Sequence, residues 1–482
     1  MLFHSATFIF YFLPATVAIY FLCRSLIHPV AARAALLLCS LFFYSWWNVI
    51  YLPLVLGSIV FNFLVGSLLC RQADRQKKKP WLILGVLVNL ALLGTFKYFD
   101  FFIGNINAVF HTDIALLHII LPLGISFFTL QQVAFLVDAY EGLAEEYHFI
   151  DYGLFVSFFP QLIAGPIVHH KETMPQFADA KPFKPAHLTQ GLVLFTIGIA
   201  KKLLIADPLG QWVNPLYEAA PTLLEAWAGM YAYTFQLYFD FSGYVDMGMG
   251  AALMLNIRLP HNFRSPLQST SVIAFWTHWH ITLSNFIMTY IYTPILRSYR
   301  KVTFKKAMIA TLIAMLLSGL WHGASWTFIL FGGVHGVAIC VNQWRKKRKM
   351  RKLPRGWAWF VNFHFITLSL VVARSGNMAA LKDYINGMIG RNGIILPEFL
   401  AGLQIPSMFT VRFGEVLPRL GGDLWTPIFL LACLLIVLLG KTAQDIAKDF
   451  KPRPVNALVF GGLLALCLLR LDNPAEFIYF QF

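Results

Sequence analysis

The stretch "LLSGLWHGASWTF", residues 316–328, sets His322 between Trp321 and Gly323 in an otherwise apolar run. A neutral imidazole accepts a proton near physiological pH, and burial favours the neutral ring, the form a general base toward a hydroxyl needs. The alternative is a structural histidine bonded to a neighbouring carbonyl. Gly319 and Gly323 form a G-x-x-x-G spacing that bares one helix face to another backbone or to a ligand. Ser318 precedes His322 by four residues, on the same face, which raises a nucleophile possibility. No G-x-S-x-G elbow supports it, and intramembrane serines commonly bond their own backbone. His280 is a second candidate by itself. His278 and His280 would point about 200° apart on a helix and so cannot share an ion. No H-E-x-x-H occurs, and the six cysteines form no C-x-x-C pair, so no metal site is expected. Asp240 and Asp246 flank "FSGYV" and could orient a histidine, hold a cation or join two short helices. Trp321 and Asn285, the latter five residues past His280, complete the candidate substrate-binding set. "GKT" at 440–442 lacks the upstream glycine of a phosphate-binding loop.

The elements that position these groups belong to a membrane protein. Of 482 residues, 58% are hydrophobic and 13% charged, with a mean hydropathy of +0.64. Charge-poor apolar segments recur at 7–23, 35–70 (room for two passes), 81–95, 118–137, 149–168, 188–199, 223–239, 307–341, 357–372, 425–439 and 457–468. A crossing takes roughly 17–25 residues, so ten to twelve crossings are expected, some short enough to be half-helices or re-entrant. The fold class is an all-α polytopic bundle forming a single domain, 1–482, with exposed connections at 169–185 and 394–423.

The net charge of +15 does not point to nucleic acid. Arg71, Arg75 and Lys77–Lys79 form one cluster, and eight Lys and Arg between 345 and 355 form another, each following an apolar segment. That is positive-inside patterning: both loops are expected in the cytoplasm and the N-terminus outside. The first apolar segment has no preceding Lys or Arg and no small-residue cleavage site, so it reads as the first transmembrane helix. Polar residues concentrate at 238–336, where ionisable groups at membrane depth mark function.

Several phrases taken in order resemble the membrane-bound O-acyltransferase superfamily, in particular its bacterial branch of alginate O-acetyltransferases and polysaccharide and peptidoglycan O-acetylating relatives. They are "MLFHSATFIFYFLP", "LPLGISFFTLQQVAFLVDAY", "FFPQLIAGPIVHHKETMPQF", "YFDFSGYVDM", "LPHNFRSP", "WHITLS", "GLWHGASWTF" and the terminal "FIYFQF". The resemblance implies acyl transfer in which His322, in the W-H-G motif, acts as general base or otherwise assists attack on the acyl donor, with His280 as its partner. It also implies tilted helices ringing a thin central region, where the donor arrives from one side and the acceptor from the other. The chain departs from the family pattern at Thr277 and His278, where relatives read W-R-R-W-H. It departs again at "MTYIYTPILR" and at His169, where an arginine is usual. These cationic losses bear on acceptor and partner.

The expected activity is transfer of acetyl from a cytoplasmic thioester, acetyl-CoA or similar, across a bacterial inner membrane toward an extracytoplasmic glycan. No bound cofactor is expected. The partners implied are a separate periplasmic acetyltransferase, the glycan acceptor and membrane lipid, with no nucleic acid. The rival class is a proton-relaying transporter, disfavoured by the lack of an internal repeat. A third reading is a family member acylating a lipid or a protein.

Overall fold

A computed structural model describes residues 1–163, 165–401, 410–471, 477 and 478; of the terminal "FIYFQF", 479–482 lie outside the described residues. Helices carry nearly all the regular structure. Among the described residues the strands are one short parallel ladder, Ile394–Leu396 on Val411–Phe413, within the connection expected at 394–423. Among the described residues, seven helical stretches are long and apolar enough to cross a bilayer: Thr7–Leu26, Val49–Arg71, Arg75–Phe110, Phe304–His322, Trp326–Lys347, Arg355–Arg374 and Gly422–Leu439. Three shorter apolar helices, Pro29–Ser45, Ile125–Tyr140 and Pro454–Leu468, accompany them. Hydrocarbon offers no partner for a bare N–H or C=O, so the chain satisfies its backbone within helices. The span Arg75–Phe110 exposes Leu87, Leu90 and Phe102, as a surface solvated by lipid requires. The chain is an all-α, multi-pass membrane protein.

Its contacts separate two compact, interleaved units. One comprises Met1–Ile199, Gly243–His261 and Ala443–Pro474; the other comprises Ala200–Ser242, Asn262–Thr442 and Ala475–Phe482. The 32-residue helix Leu223–Met254 contributes to both. Asp240 and Asp246 both lie inside it, so they do not join two short helices, and Gly243 causes no break. Within the first unit the Gly243 carbonyl instead approaches Gly198 so closely that a Cβ there would lie 2.6 Å from it.

Other departures from the sequence expectation are local. The segment 118–137 is helical only from Ile125, because Pro122 has no N–H to donate and Gly124 turns left-handed at φ +72°. A Cβ on Gly124 would stand 2.6 Å from the Leu162 carbonyl, which leaves room for glycine alone. Segment 149–168 breaks near Pro160 into Phe149–Ser157 and Phe159–Leu162, two short buried pieces. The 169–185 stretch is not a free linker. It contains helix His170–Asp179, whose His170, Thr173, Met174 and Phe177 are buried at the i, i+3, i+4, i+7 spacing of a packed face.

Candidate active site

The apolar run 307–341 divides at Gly323, Ala324 and Ser325 into Phe304–His322 and Trp326–Lys347. His322 is therefore the last residue of a helix, at the turn of a hairpin, and it is half-buried. The bare glycine face is taken by the facing helix, at Gly319 by backbone and at Gly323 by the Phe328 ring. A Cβ on Gly319 would collide with the Phe328 carbonyl and the Gly332 backbone, and one on Gly332 with the Met315 carbonyl. Close approach of the two helices fixes where the turn, and so His322, can sit.

His280 is fully buried, and its ring lies 6.3 Å from that of His322 at 62°. Trp321 wedges beside both, 6.1 Å from His280 and 5.0 Å from His322, while Phe241 presents an edge to His280 at 5.0 Å. The imidazoles meet edge to face and are not stacked. The catalytic pair expected from sequence is thus brought together, with Trp321 as its wall.

His280 occupies the left-handed region at φ 43°, a strained backbone for a residue with a Cβ, and caps the start of helix Ile281–Ile287. The strain is held by a strap. Asn262 accepts the Ile281 N–H on its carbonyl at 3.1 Å. Its Oδ1 accepts from Thr282 N–H at 3.2 Å and from Thr282 Oγ1 at 3.0 Å. Arg264 N–H donates to the His278 carbonyl at 3.0 Å, and Phe263 bridges Trp279. "HNFRSP" and "WHITLS" are therefore one structural device, paired residue by residue. His278 turns outward, donating Nδ1–H to the Ala274 carbonyl at 2.6 Å.

Asp240 holds a cation, one of the roles the sequence left open, and the cation is Lys202. The Lys202 ammonium lies 2.7 Å from Asp240 and 2.8 Å from Asp207, with Lys202 and Asp240 both buried. The other Asp240 oxygen accepts the Ile478 N–H at 2.8 Å. Phe477 packs on Phe241 at 6.0 Å, so the aromatic ring beside His280 is backed by the same end of the chain. Lys202 sits in a π-helical turn, Lys201–Ala206, a distortion frequent at functional sites. It was legible as a lysine in the apolar "TIGIAKKLLIADP". Asp246 belongs to the other unit, where Gln444 Nε2 donates to it at 2.6 Å. Asn285 is exposed on helix Ile281–Ile287. Ser318 is buried with its hydroxyl unpartnered, so it does not bond its own backbone as intramembrane serines commonly do.

Sequence reasoning passed over His335. Fully buried, it accepts the Trp276 indole N–H on Nδ1 at 3.1 Å, which leaves Nε2–H to face Ser369 Oγ at 2.8 Å; that hydroxyl donates to the Ile366 carbonyl at 2.7 Å. Every proton has an acceptor. The satisfied structural histidine weighed for His322 is realised at His335, which anchors Trp276 four residues before His280. Its position in the same apolar run as His322 was the available signal.

The two candidate histidines thus come from a helix hairpin and a strapped loop in an all-helical membrane chain. The membrane-bound O-acyltransferase family model matches residues 125–374, and the chain belongs to that family. It is 42% identical to the peptidoglycan O-acetyltransferase of Helicobacter pylori over 82% of this chain and 81% of that protein. It is 35% identical to the probable alginate O-acetylase AlgI of Pseudomonas aeruginosa over 85% of this chain and 79% of that protein. The teichoic acid D-alanyltransferase of Streptococcus thermophilus is 26% identical over 52% of this chain and 67% of its own length. The protein is an O-acyltransferase.

Proposed function

We propose that the protein transfers acetyl from a cytoplasmic thioester, acetyl-CoA the simplest, toward an extracytoplasmic glycan from the bacterial inner membrane. The observation that carries this reading is the pairing of half-buried His322 with buried His280 across Trp321. In the step, His322 takes the proton of an acceptor hydroxyl as its oxygen attacks the thioester carbonyl. The new C–O bond replaces the C–S bond, and the proton passes to the departing thiolate. His280 supports His322 from its buried side. The relatives named for peptidoglycan and alginate favour a glycan as final acceptor; in this reading a separate extracytoplasmic acetyltransferase completes the transfer to it.

The test is base-labile acetate on the cell-surface glycan fraction of a deletion strain carrying either the wild-type chain or His322→Ala at equal membrane levels. Acetate restored by wild type and not by the variant is expected. Full restoration by His322→Ala overturns the assignment. Free thiol released by membranes given acetyl-CoA separates transfer from transport, since a transporter releases none.

A further inference from the structure

A second cluster of donors lies in the other unit, and the acyl-transfer reading does not use it. We propose that Asp138, His169 and His170 bind one first-row divalent metal ion, with zinc the best match, through a carboxylate oxygen and two imidazole Nε2 atoms.

The donors come from two rigid elements. Asp138 lies near the end of helix Ile125–Tyr140 and is buried. His170 opens helix His170–Asp179, and His169 is its N-cap, its backbone N–H donating to the Glu172 carboxylate at 3.3 Å. Consecutive residues within a helix diverge by about 100°. Here the extended conformation of His169, φ −90° and ψ 142°, turns the two rings together, 4.3 Å apart and inclined by 32°. Both aim the same nitrogen at the same oxygen: His169 Nε2 is 2.7 Å and His170 Nε2 3.0 Å from Asp138 Oδ2. All three ligand atoms fall within 4.8 Å of one another.

The chemistry of the set selects the ion. Two imidazoles and a carboxylate suit zinc or iron, whereas calcium and magnesium prefer all-oxygen shells. Zinc bonds of about 2.0–2.2 Å set neighbouring tetrahedral donors about 3.4 Å apart, so the cluster opens by less than about 1 Å to admit it. Three ligands leave a fourth position. His169 has 34% of its side chain exposed, which provides access for the ion and for a water in that position.

A supporting shell is present too. Tyr147 Oη lies 3.4 Å from His170 Nδ1, where it can receive the Nδ1–H that a metal on Nε2 requires, and Phe135 braces the ring edge-on at 5.5 Å. His169 Nδ1 accepts the Lys171 N–H at 3.3 Å, a long contact on the exposed side that is given up when Nε2 takes the metal. The ion would pin helix Ile125–Tyr140 to the start of helix His170–Asp179.

The experiment uses the full-length chain, purified in detergent without a histidine tag, stripped with chelator and titrated with cobalt(II) and zinc(II). About one ion per chain is expected, with visible cobalt ligand-field absorption bleached by zinc, and a melting temperature raised by zinc. His169→Ala and Asp138→Asn should each weaken binding by at least about 100-fold and abolish the zinc-dependent rise. His169→Ala removes a partly exposed side chain and decides the matter even where Asp138→Asn fails to fold. Wild-type protein that takes up no cobalt overturns the proposal, as does uptake unchanged in His169→Ala; the three residues are then a hydrogen-bonded cluster only.

Discussion

At the scale of single residues, the two histidines of the site are held by opposite means. His322 depends on the end of its helix, while His280 depends on Asn262, which keeps a strained φ of 43° in place. Asparagine tolerates left-handed backbone better than alanine does. His280→Asn should therefore keep the loop and its melting temperature while lowering acyl transfer by at least about 100-fold, the lower end of what proton-transfer groups contribute. His280→Ala should lose activity and stability together. Thermal unfolding in detergent and thiol release from acetyl-CoA, measured on both variants, separate the roles; full activity in a stable His280→Asn chain would make His280 purely structural. Type and neighbours singled out His322 and His280 in the sequence. They could not separate these candidates from the structural histidine at 335, because that distinction lies in Trp276 and Ser369, which are remote in sequence from each other.

At the scale of elements, the helix hairpin Phe304–His322 and Trp326–Lys347 is the part most sensitive to a single methyl group. Gly319→Ala would drive a Cβ into the Phe328 carbonyl and the Gly332 backbone, neither of which can rotate away. Overpacking of this kind costs about 1–3 kcal/mol. The variant should melt lower and transfer less, although no reacting group is altered. Gly333→Ala is the control, since its added Cβ meets only the Leu316 side chain, at 3.5 Å; it should be neutral in both assays. The G-x-x-x-G spacing was visible in sequence, yet its occupant was not. A bare helix face announces close approach, and only the partner's coordinates say whether a ligand or a backbone arrives.

At the scale of the whole molecule, the basic clusters at 71–79 and 345–355 set the expected orientation, with both loops on the cytoplasmic side. Lys349→Cys, compared with the parent chain and its six native cysteines, should react with a membrane-impermeant maleimide only after cells are permeabilised. Labelling in intact cells would invert the topology. Orientation matters to the proposed chemistry because a charged thioester carrier does not cross hydrocarbon, so the proposal requires the site to open toward the cytoplasm.

Composition and hydropathy alone determined that this is a helical membrane protein, since burying apolar segments in lipid is a bulk property that needs no partner. Motif order determined the family, and residue type marked His322 and His280 as candidates. Tertiary structure decided what depends on distant segments meeting. It made Leu223–Met254 continuous through Asp240 and Asp246 and left Asn285 exposed. It gave Asp240 the Lys202 ammonium and brought Asp138 to His169 and His170. An isolated carboxylate in an apolar run shows that some compensating charge or donor must exist, and which group supplies it is fixed only when the chain has folded.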